Sequence, residues 1–303
     1  MKFELIIVRY GEIGLKAKET RKRFENTLIS NIKNALNIEQ IPNKIQRERG
    51  RVYVYTDYID KAIPVLKRVF GIISVSPAAF TESNMIFISK MAVYISKFFI
   101  SPEKSFALRV TRTGDHSFSS QDVAVKTGKA IEKSTNTKVN LSNPDFELFI
   151  EIRDEFTYFF TEKIRGTGGL PLGTQGKVLA LIEDTKSILA AWFLMKRGCE
   201  PVFAYTNEKI LDSLNRFTSY WYVKPDIVFI DSKKKLFEEL NKLVIDYNCD
   251  AVVTGHVLID DKDSVISEIT NFKKHLNSVL LNPLIGMKKE EIEKKCEGIG
   301  ISI

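Results

Sequence analysis

Cysteine and histidine are scarce in this 303-residue sequence, which has three of each. The cysteines are odd in number, far apart and without a CxxC pair, so the sequence predicts neither a disulfide framework nor a zinc site. The histidines have no metal-ligand spacing. We therefore expect a reducing, cytoplasmic environment, no bound metal, and structural thiols that are buried. The residues concerned are Cys199, Cys249, Cys296, His116, His256 and His275.

Long apolar runs are also missing. Residues 93–100 include Lys97 and fall far short of the ~20 residues that a membrane-spanning helix needs. The N-terminal MKFELIIVRYGE has no long apolar core and no small-residue cleavage site, so no secretory signal is expected. The sequence thus predicts neither a membrane anchor nor export.

Basic residues are concentrated in the first part of the chain, and the formal net charge is +7. Residues 1–176 contain 27 Lys or Arg and 19 Asp or Glu, whereas residues 177–303 contain 18 and 19. A basic segment 1–176 followed by a nearly neutral segment 177–303 favours a polyanion as the partner of the first segment. A solvated, lysine-rich surface explains the same excess equally well.

A strand, a tight turn and a helix follow a glycine-rich loop near the middle of the chain. The apolar run Val178–Ile182 predicts a buried strand, and apolar residues at helical spacing over 188–195 predict a helix. Nucleotide phosphates bind at such turns because a helix N-terminus offers unpaired N–H groups and the positive end of its dipole. The candidate nucleotide site is therefore Glu183, Asp184, Thr185, Lys186 and Ser187.

Strands and helices also alternate before this loop. The order predicted over 2–70 is typical of a small ferredoxin-like unit, with strands at 2–9 and 51–55 and helices at 18–36 and 59–69. Residues 72–165 predict helices at 86–99 and 121–133, and they predict strands at 106–111, 146–153 and 158–164.

Cations lie where these predicted elements begin or end. A cation cluster at a helix N-terminus opposes the helix dipole, so the cluster before and within 18–23 favours a phosphate partner. A second set follows the strands and the lysine-bearing helix of 72–165, which suits an RNA-binding surface. For each lysine alone, a solvated face is the simpler explanation. The candidates are Arg9, Lys16, Lys18, Arg21, Lys22, Arg23, Arg109, Arg112, Lys126, Lys129 and Arg165.

After the glycine-rich loop, nearly all-apolar strands alternate with helices. The strands are predicted at 178–182, 200–205, 226–230, 251–255 and 279–281. Such strands are typical of a parallel sheet that is covered by helices on both faces.

Common phosphate-binding motifs do not match. Gly176-Lys177 is followed by Val178 rather than Ser or Thr, and the strand comes after it, so it is no Walker A loop. Gly166-Thr167-Gly168 also precedes its strand, which excludes a dinucleotide-binding fingerprint. Motifs of serine hydrolases and metalloproteases are absent, and no glycine-rich S-adenosylmethionine loop follows a strand.

A set of short motifs, in one order along nearly the whole chain, resembles the tRNA 4-thiouridine synthetase family (the thiamine-biosynthesis ThiI proteins). Each motif is weak alone, and together they are specific. They are Tyr10-Gly11-Glu12-Ile13-Gly14-Leu15-Lys16, Phe70-Gly71-Ile72, Asn143-Pro144-Asp145, Gly168-Gly169-Leu170-Pro171-Leu172-Gly173, Gly176-Lys177-Val178-Leu179, Ala190-Ala191-Trp192, Met195-Lys196-Arg197-Gly198, Thr254-Gly255, and residues 283–292, PLIGMKKEEI.

The resemblance implies an α+β front half followed by an α/β domain with a parallel, Rossmann-like sheet. It assigns 1–70 to an N-terminal ferredoxin-like domain, 71–167 to a THUMP RNA-binding domain, 168–176 to a linker and 177–303 to a PP-loop ATP pyrophosphatase-like domain. It also implies a dimer that grips tRNA, adenylates a uridine with ATP and displaces AMP with persulfide sulfur. The family's usual catalytic cysteine lies in a segment that would follow Ile303, so we expect none here.

The chain departs from the family at the turn, where the PP-loop has the form S-G-G-x-D-S. Only Glu183-Asp184-Thr185-Lys186-Ser187 stands there, one residue short and without glycine. Those glycines let backbone N–H groups close on a pyrophosphate, whereas two carboxylates repel a triphosphate. Asp184 or Thr185 is a suitable N-cap, so the turn is expected to satisfy its own helix. His256 follows Thr254-Gly255 where an acidic residue is usual, and Asp260-Asp261-Lys262-Asp263 replaces a Gly-Gln loop.

We therefore favour a tRNA-binding protein of this family that has a degenerate PP-loop and no ATP-dependent activity of its own. The alternative is a divergent ATP-dependent tRNA sulfurtransferase that makes 4-thiouridine, with Lys186, Ser187 and Thr254 in altered roles and Gly255 beside them. The first hypothesis expects no cofactor, and the second expects ATP and Mg²⁺. Expected partners are tRNA, a second copy of the chain, and a separate sulfur carrier or enzyme.

Overall fold

The computed structural model describes residues 3–48, 50–231, 235–258 and 264–301. The chain forms two compact units that alternate along the sequence. Unit 1 comprises Met1–Arg9, Glu39–Lys67 and Ser74–Gly166. Unit 2 comprises Tyr10–Ile38, Arg68–Ile73 and Thr167–Ile303. The domain boundaries that the resemblance implies stay a prediction.

The strands and helices of the structure lie at most of the positions where the sequence predicts them. The strands are β1 (Leu5–Arg9), β2 (Lys44–Glu48), β3 (Arg51–Tyr55), β4 (Ser74–Glu82), β5 (Ser105–Arg112), β6 (Lys138–Val139), β7 (Phe146–Ile152), β8 (Phe156–Phe160), β9 (Ile164–Arg165), β10 (Lys177–Ile182), β11 (Glu200–Tyr205), β12 (Ile227–Phe229), β13 (Ala251–Val253) and β14 (Val279–Leu281). The α-helices are α1 (Lys18–Ile38), α2 (Ile59–Lys67), α3 (Met85–Phe99), α4 (Ser120–Thr135), α5 (Thr185–Lys196), α6 (Leu211–Tyr220), α7 (Leu236–Asp246), α8 (Ser264–His275) and α9 (Lys289–Gly298). Short 3₁₀ helices lie at Glu12–Leu15 and Glu208–Ile210.

One sheet runs through the whole of unit 1. Within the described residues it has nine strands in the order β2-β3-β1-β4-β8-β7-β5-β6, and β9 also pairs with β4. Strand β5 runs parallel to β6 and β7, and the other pairs are antiparallel. Because β4 pairs with both β1 and β8, it joins the predicted ferredoxin-like and RNA-binding parts into one continuous sheet.

This sheet curls strongly. Strands β3 and β8 are three places apart, which is about 14 Å in a flat sheet, yet the rings of Tyr53 and Tyr158 stack with centroids 4.6 Å apart. The curled face encloses apolar side chains from several strands, including Leu5, Ile7 and Phe160. A second core lies under helices α3 and α4, with Ile88, Phe106 and Ile150 among its buried residues. Unit 1 is therefore an α+β structure, as predicted.

Unit 2 contains a parallel sheet with the strand order β12-β11-β10-β13-β14. Strand β10 is central, and Val178–Ile182 is almost fully buried. Apolar cores lie on both faces of the sheet, so the predicted α/β fold class is confirmed. In such sheets the crevice lies where the strand order reverses, here between the carboxyl ends of β10 and β13.

The glycine-rich segment 168–176 is fixed within unit 2 rather than free. The N–H groups of Gly173, Thr174 and Gln175 all donate to the carbonyl of Gly198, at 2.9, 2.9 and 3.1 Å. The carbonyl of Lys196 accepts the N–H of Leu170 at 3.0 Å. These bonds satisfy the C-terminal end of α5 and anchor the segment to it.

None of the described helices is both long and apolar enough to cross a membrane.

Candidate functional site

The turn between β10 and α5 is closed by the side chain of Ser187. Its Oγ accepts the N–H groups of Glu183 and Asp184 at 2.9 and 3.0 Å and lies 2.6 Å from the Asp184 carbonyl, to which it donates. Asp184 is the N-cap of α5, and its Oδ1 accepts the N–H of Ser187 at 2.9 Å. Together they form a capping box, which satisfies amides that would otherwise face a ligand.

The backbone after β13 lies directly against this turn. A Cβ built on Gly255 would lie 2.8 Å from both the Cα and the N of Ser187. Ser187 is 3 % exposed and Thr254 is 1 % exposed. Ser187 is therefore enclosed between the start of α5 and the backbone after β13, whereas the side chains of Asp184 and Lys186 are partly exposed.

A partly buried polar cluster occupies the carboxyl ends of β13 and β14. Thr254 Oγ1 lies 2.5 Å from His256 Nδ1 and accepts a bond from Asn282 Nδ2 at 2.6 Å. His256 Nε2 lies 3.7 Å from a carboxyl oxygen of Glu268 on α8. Burial lowers the pKa of His256, while Glu268 partly opposes this shift. The imidazole is therefore neutral at neutral pH, and the cluster gains no cation from it.

Asn282 was absent from the sequence-based candidates. The available signal was a polar residue directly after the apolar strand Val279–Leu281, at the same sheet edge as Thr254. Asp184 also contacts Lys186, whose Nζ lies 3.2 Å from Oδ2. The predicted segment Asp260-Asp261-Lys262-Asp263 lies outside the described residues.

Replacing Ser187 by Ala tests how the turn is held. The N–H groups of Glu183 and Asp184 would lose their common acceptor, so we expect the free energy of unfolding to fall by about 2 kcal/mol. Lys186→Ala removes only a half-exposed ion pair and should cost less than about 1 kcal/mol. Urea unfolding of both variants measures the difference, and equal losses would show that the Ser187 hydroxyl does not hold the turn.

The predicted cations of unit 2 surround the start of α1. Lys18, Lys22 and Arg23 are exposed. Arg21 donates from Nε and Nη2 to the carbonyl of Lys16, at 3.3 and 3.0 Å, and so closes the loop before the helix. The structure thus brings five of the candidates together, with three side chains presented to solvent.

The predicted cations of unit 1 have more varied surroundings. Arg109 bonds Glu147 Oε1 at 2.6 Å through Nε, and Arg112 donates to the Gly114 carbonyl at 2.9 Å. Lys126 and Lys129 are exposed on α4, and Arg165 is exposed on β9. Their contact with RNA stays a prediction.

Arg9 lies inside unit 1, with a side chain that is 11 % exposed. It donates to Ser76 Oγ at 2.9 Å and lies 4.5 Å above the ring of Phe160. Two further guanidinium groups, those of Arg51 and Arg153, contact Glu151 at 2.9 and 2.8 Å, and Arg9 approaches the same carboxylate at 3.7 Å. Burial, together with the neighbouring cations, lowers the pKa of Arg9 to about 10, although Glu151 opposes the shift.

The three cysteines are buried and free. Burial raises the pKa of Cys249 and of Cys296 to about 11, and it also raises the pKa of Cys199. All three are therefore thiols rather than thiolates near neutral pH, which is the unreactive form. Among the described residues, no group of three or more His, Cys, Asp or Glu side chains is arranged to hold a metal ion.

Family models match three regions of the chain. They are the ThiI ferredoxin-like domain over residues 5–76, the THUMP domain over 87–162 and the thiamine biosynthesis protein (ThiI) over 221–302. The turn at 183–187 lies between the second and third of these ranges.

Similar proteins match over nearly the full chain. A probable tRNA sulfurtransferase of Methanobrevibacter smithii is 32 % identical and covers 99 % of this chain and 87 % of its own length. The crystal structure of PH1313 from Pyrococcus horikoshii is 35 % identical, with a TM-score of 0.86 over 98 % of this chain and 100 % of that one. A 4-thiouridine synthetase, solved as an RNA complex with bound ATP, has the same fold at 24 % identity, with a TM-score of 0.79 over 99 % of this chain and 85 % of that one.

The order of the matched domains, the two-part fold and the coverage of these relatives agree, and the chain belongs to the tRNA sulfurtransferase family.

Proposed function

We propose that this protein binds tRNA and that its β10–α5 turn does not hold ATP. The observation that carries the second part is the capping box of Asp184 and Ser187. It occupies the backbone N–H groups of Glu183, Asp184 and Ser187, three amides of the turn that a pyrophosphate would otherwise contact. An intact RNA-binding part with a closed nucleotide turn is the combination that these residues support best.

Binding of tRNA is supported by family membership and by charge. The fold-related 4-thiouridine synthetase was solved with RNA. In this chain Lys18, Lys22 and Arg23 present exposed cations beside one another, and Lys126 and Lys129 do so on α4. Such side chains neutralise phosphates and make affinity fall steeply with salt.

The residues at the turn do not fit ATP. Glu183 and Asp184 bring two carboxylates to the point where a triphosphate would add several negative charges, and at ~4 Å each like-charge pair costs about 1 kcal/mol even in water. The ThiI match begins at residue 221, beyond the turn. The alignment to the Methanobrevibacter relative spans 337 residues against the 303 of this chain, so that relative has segments within the matched region that this chain lacks.

Unit 2 then serves as a scaffold, as a contact between two copies of the chain, or as the docking partner of a separate enzyme or sulfur carrier. The buried, protonated cysteines support a supply of sulfur from elsewhere. A dimer is part of this proposal because the family resemblance implies one.

The second candidate is a divergent ATP-dependent tRNA sulfurtransferase that makes 4-thiouridine. It is favoured by the retention of Thr254-Gly255 directly against the start of α5. In that case Lys186 would meet a phosphate, and Ser187 and Thr254 would exchange their present bonds for contacts with ATP·Mg²⁺.

Calorimetric titration of ATP·Mg²⁺ into the protein, alone and with bulk tRNA present, separates the two candidates. We expect no heat of ATP binding in either case, alongside tRNA binding that weakens as salt rises. Micromolar ATP binding would overturn the closed-turn proposal and would call for a thiolation assay on tRNA.

A further inference from the structure

Helix α3 of unit 1 exposes a row of large aromatic side chains. Phe87, Tyr94 and Phe98 are 44 %, 55 % and 52 % exposed. Their i, i+7, i+11 spacing places them along one side of the helix. The core of unit 1 is contacted by a different side of α3, which carries Ile88, Ala92 and Ile95. The aromatic row is thus not part of the core stripe.

The same helix is positively charged. Its sequence, MIFISKMAVYISKFF, contains Lys90 and Lys97, both exposed, and no Asp or Glu. The exposed aromatic row therefore lies on a helix whose charged side chains are both cationic.

This composition decides between two kinds of partner. Pairing of α3 with α3 of a second copy would bring like charges together, with no carboxylate on either helix to offset them. RNA supplies the opposite charge through its phosphates, and its bases stack on aromatic rings. Stacking of this kind needs bases that are not already stacked in a duplex.

We infer that the aromatic row of α3 stacks unpaired bases of RNA while Lys90 and Lys97 contact the adjoining phosphates. This inference rests on the proposed function, since it names the part of the RNA that one surface of unit 1 recognises. Tyr94 and Phe98 already pack edge to face, with ring centroids 5.0 Å apart, which holds the two rings in place at little further cost in side-chain entropy.

Fluorescence anisotropy with a labelled oligoadenylate tests the assignment. The variant Tyr94→Leu/Phe98→Leu keeps apolar bulk but removes both π-faces. We expect its affinity for the oligoadenylate to fall about tenfold. The slope of log affinity against log salt concentration should stay unchanged, because no cation is removed. The matched variant Lys90→Ala/Lys97→Ala, on the same helix, should instead lower the steepness of the salt dependence by the equivalent of about two phosphate contacts. All four side chains are exposed, so thermal unfolding should be unchanged in both variants.

The outcomes separate failure of this inference from failure of the proposed function. Equal oligoadenylate affinities of the unchanged protein and the Leu variant, with tRNA binding retained, would overturn stacking on α3 alone. A change from dimer to monomer on Tyr94→Ala/Phe98→Ala, seen by sedimentation, would reassign the row to a contact between copies. Failure of the unchanged protein to bind either RNA would overturn the proposed function, and stacking on α3 with it.

Discussion

Glu151→Gln is expected to lower the free energy of unfolding by about 3–5 kcal/mol, because it removes one partner from a buried ion cluster. The carboxylate is 8 % exposed and contacts Arg51 and Arg153 at 2.9 and 2.8 Å, with Arg9 at 3.7 Å. A neutral amide at this position would remove the carboxylate that all three guanidinium groups approach. Urea unfolding at neutral pH measures the loss.

Strand β7 supplies a matched control in Glu147. Its ion pair with Arg109 is 2.6 Å long, but both side chains are more than a third exposed, at 35 % and 39 %. Glu147→Gln should therefore cost less than about 1 kcal/mol. Similar losses in the two variants would show that burial of the cluster adds nothing to its effect.

Acid should have less effect on the Glu151→Gln variant than on the unchanged protein. Burial alone would raise the pKa of Glu151, but Arg51 and Arg153 hold it below its ordinary value. A carboxyl with a lowered folded-state pKa contributes stability above its unfolded pKa of about 4.3 and loses it as pH falls through the folded pKa. The unchanged protein should lose this contribution on acidification, whereas the variant has none to lose. Parallel pH profiles of the two proteins would contradict the assignment.

Gly169→Ala is expected to lower the free energy of unfolding by about 3 kcal/mol or more. Gly169 has φ +77°, and an added Cβ would lie 2.0 Å from the carbonyl oxygen of Lys196. The same oxygen accepts the N–H of Leu170, so moving it breaks the contact that anchors the glycine-rich segment to α5. Thermal or urea unfolding measures the effect.

Gly173→Ala provides the comparison because it isolates the backbone cost. Gly173 has φ +87°, and no described heavy atom lies within 4 Å of its ideal Cβ position. Alanine there should lower the free energy of unfolding by only about 1 kcal/mol, which is the penalty of the left-handed backbone conformation for a residue with a Cβ. If the two alanine variants are equally stable, the close approach of Lys196 to Gly169 does not contribute to the loss of stability.

Patterns local in sequence predicted most of the elements. The all-apolar strand Val178–Ile182 and the helical spacing that follows it identified β10 and α5, and the structure begins the helix at Thr185. Strand β2 was not assigned, because KIQRE has almost no apolar residues and lies at the edge of the sheet. Because this strand is held mainly by backbone pairing to β3, its sequence lacks the alternation of apolar and polar residues by which a strand is recognised.

The parts that could not be predicted depend on contacts between distant residues. Asp184 was recognisable as an N-cap, since a cap lies next to its helix. The partners of Arg9 were not, because Ser76 and Glu151 reach it only through the pairing of strands and the curl of the sheet. For the same reason a run such as MIFISKMAVYISKFF predicts a helix, while its exposed aromatic side is defined only once the core side is known.

The alternation of the two units along the chain has a consequence for synthesis on the ribosome. Residues 10–38 are made early, yet their partners within unit 2 come much later. Asn31 donates to the carbonyl of Leu172, 141 residues on, and Asn34 donates to that of Tyr222, 188 residues on. At about 5–20 residues per second, helix α1 waits roughly ten seconds or more for these partners. We therefore expect its apolar side, with Phe24, Leu28 and Ile32, to stay incompletely covered during that interval.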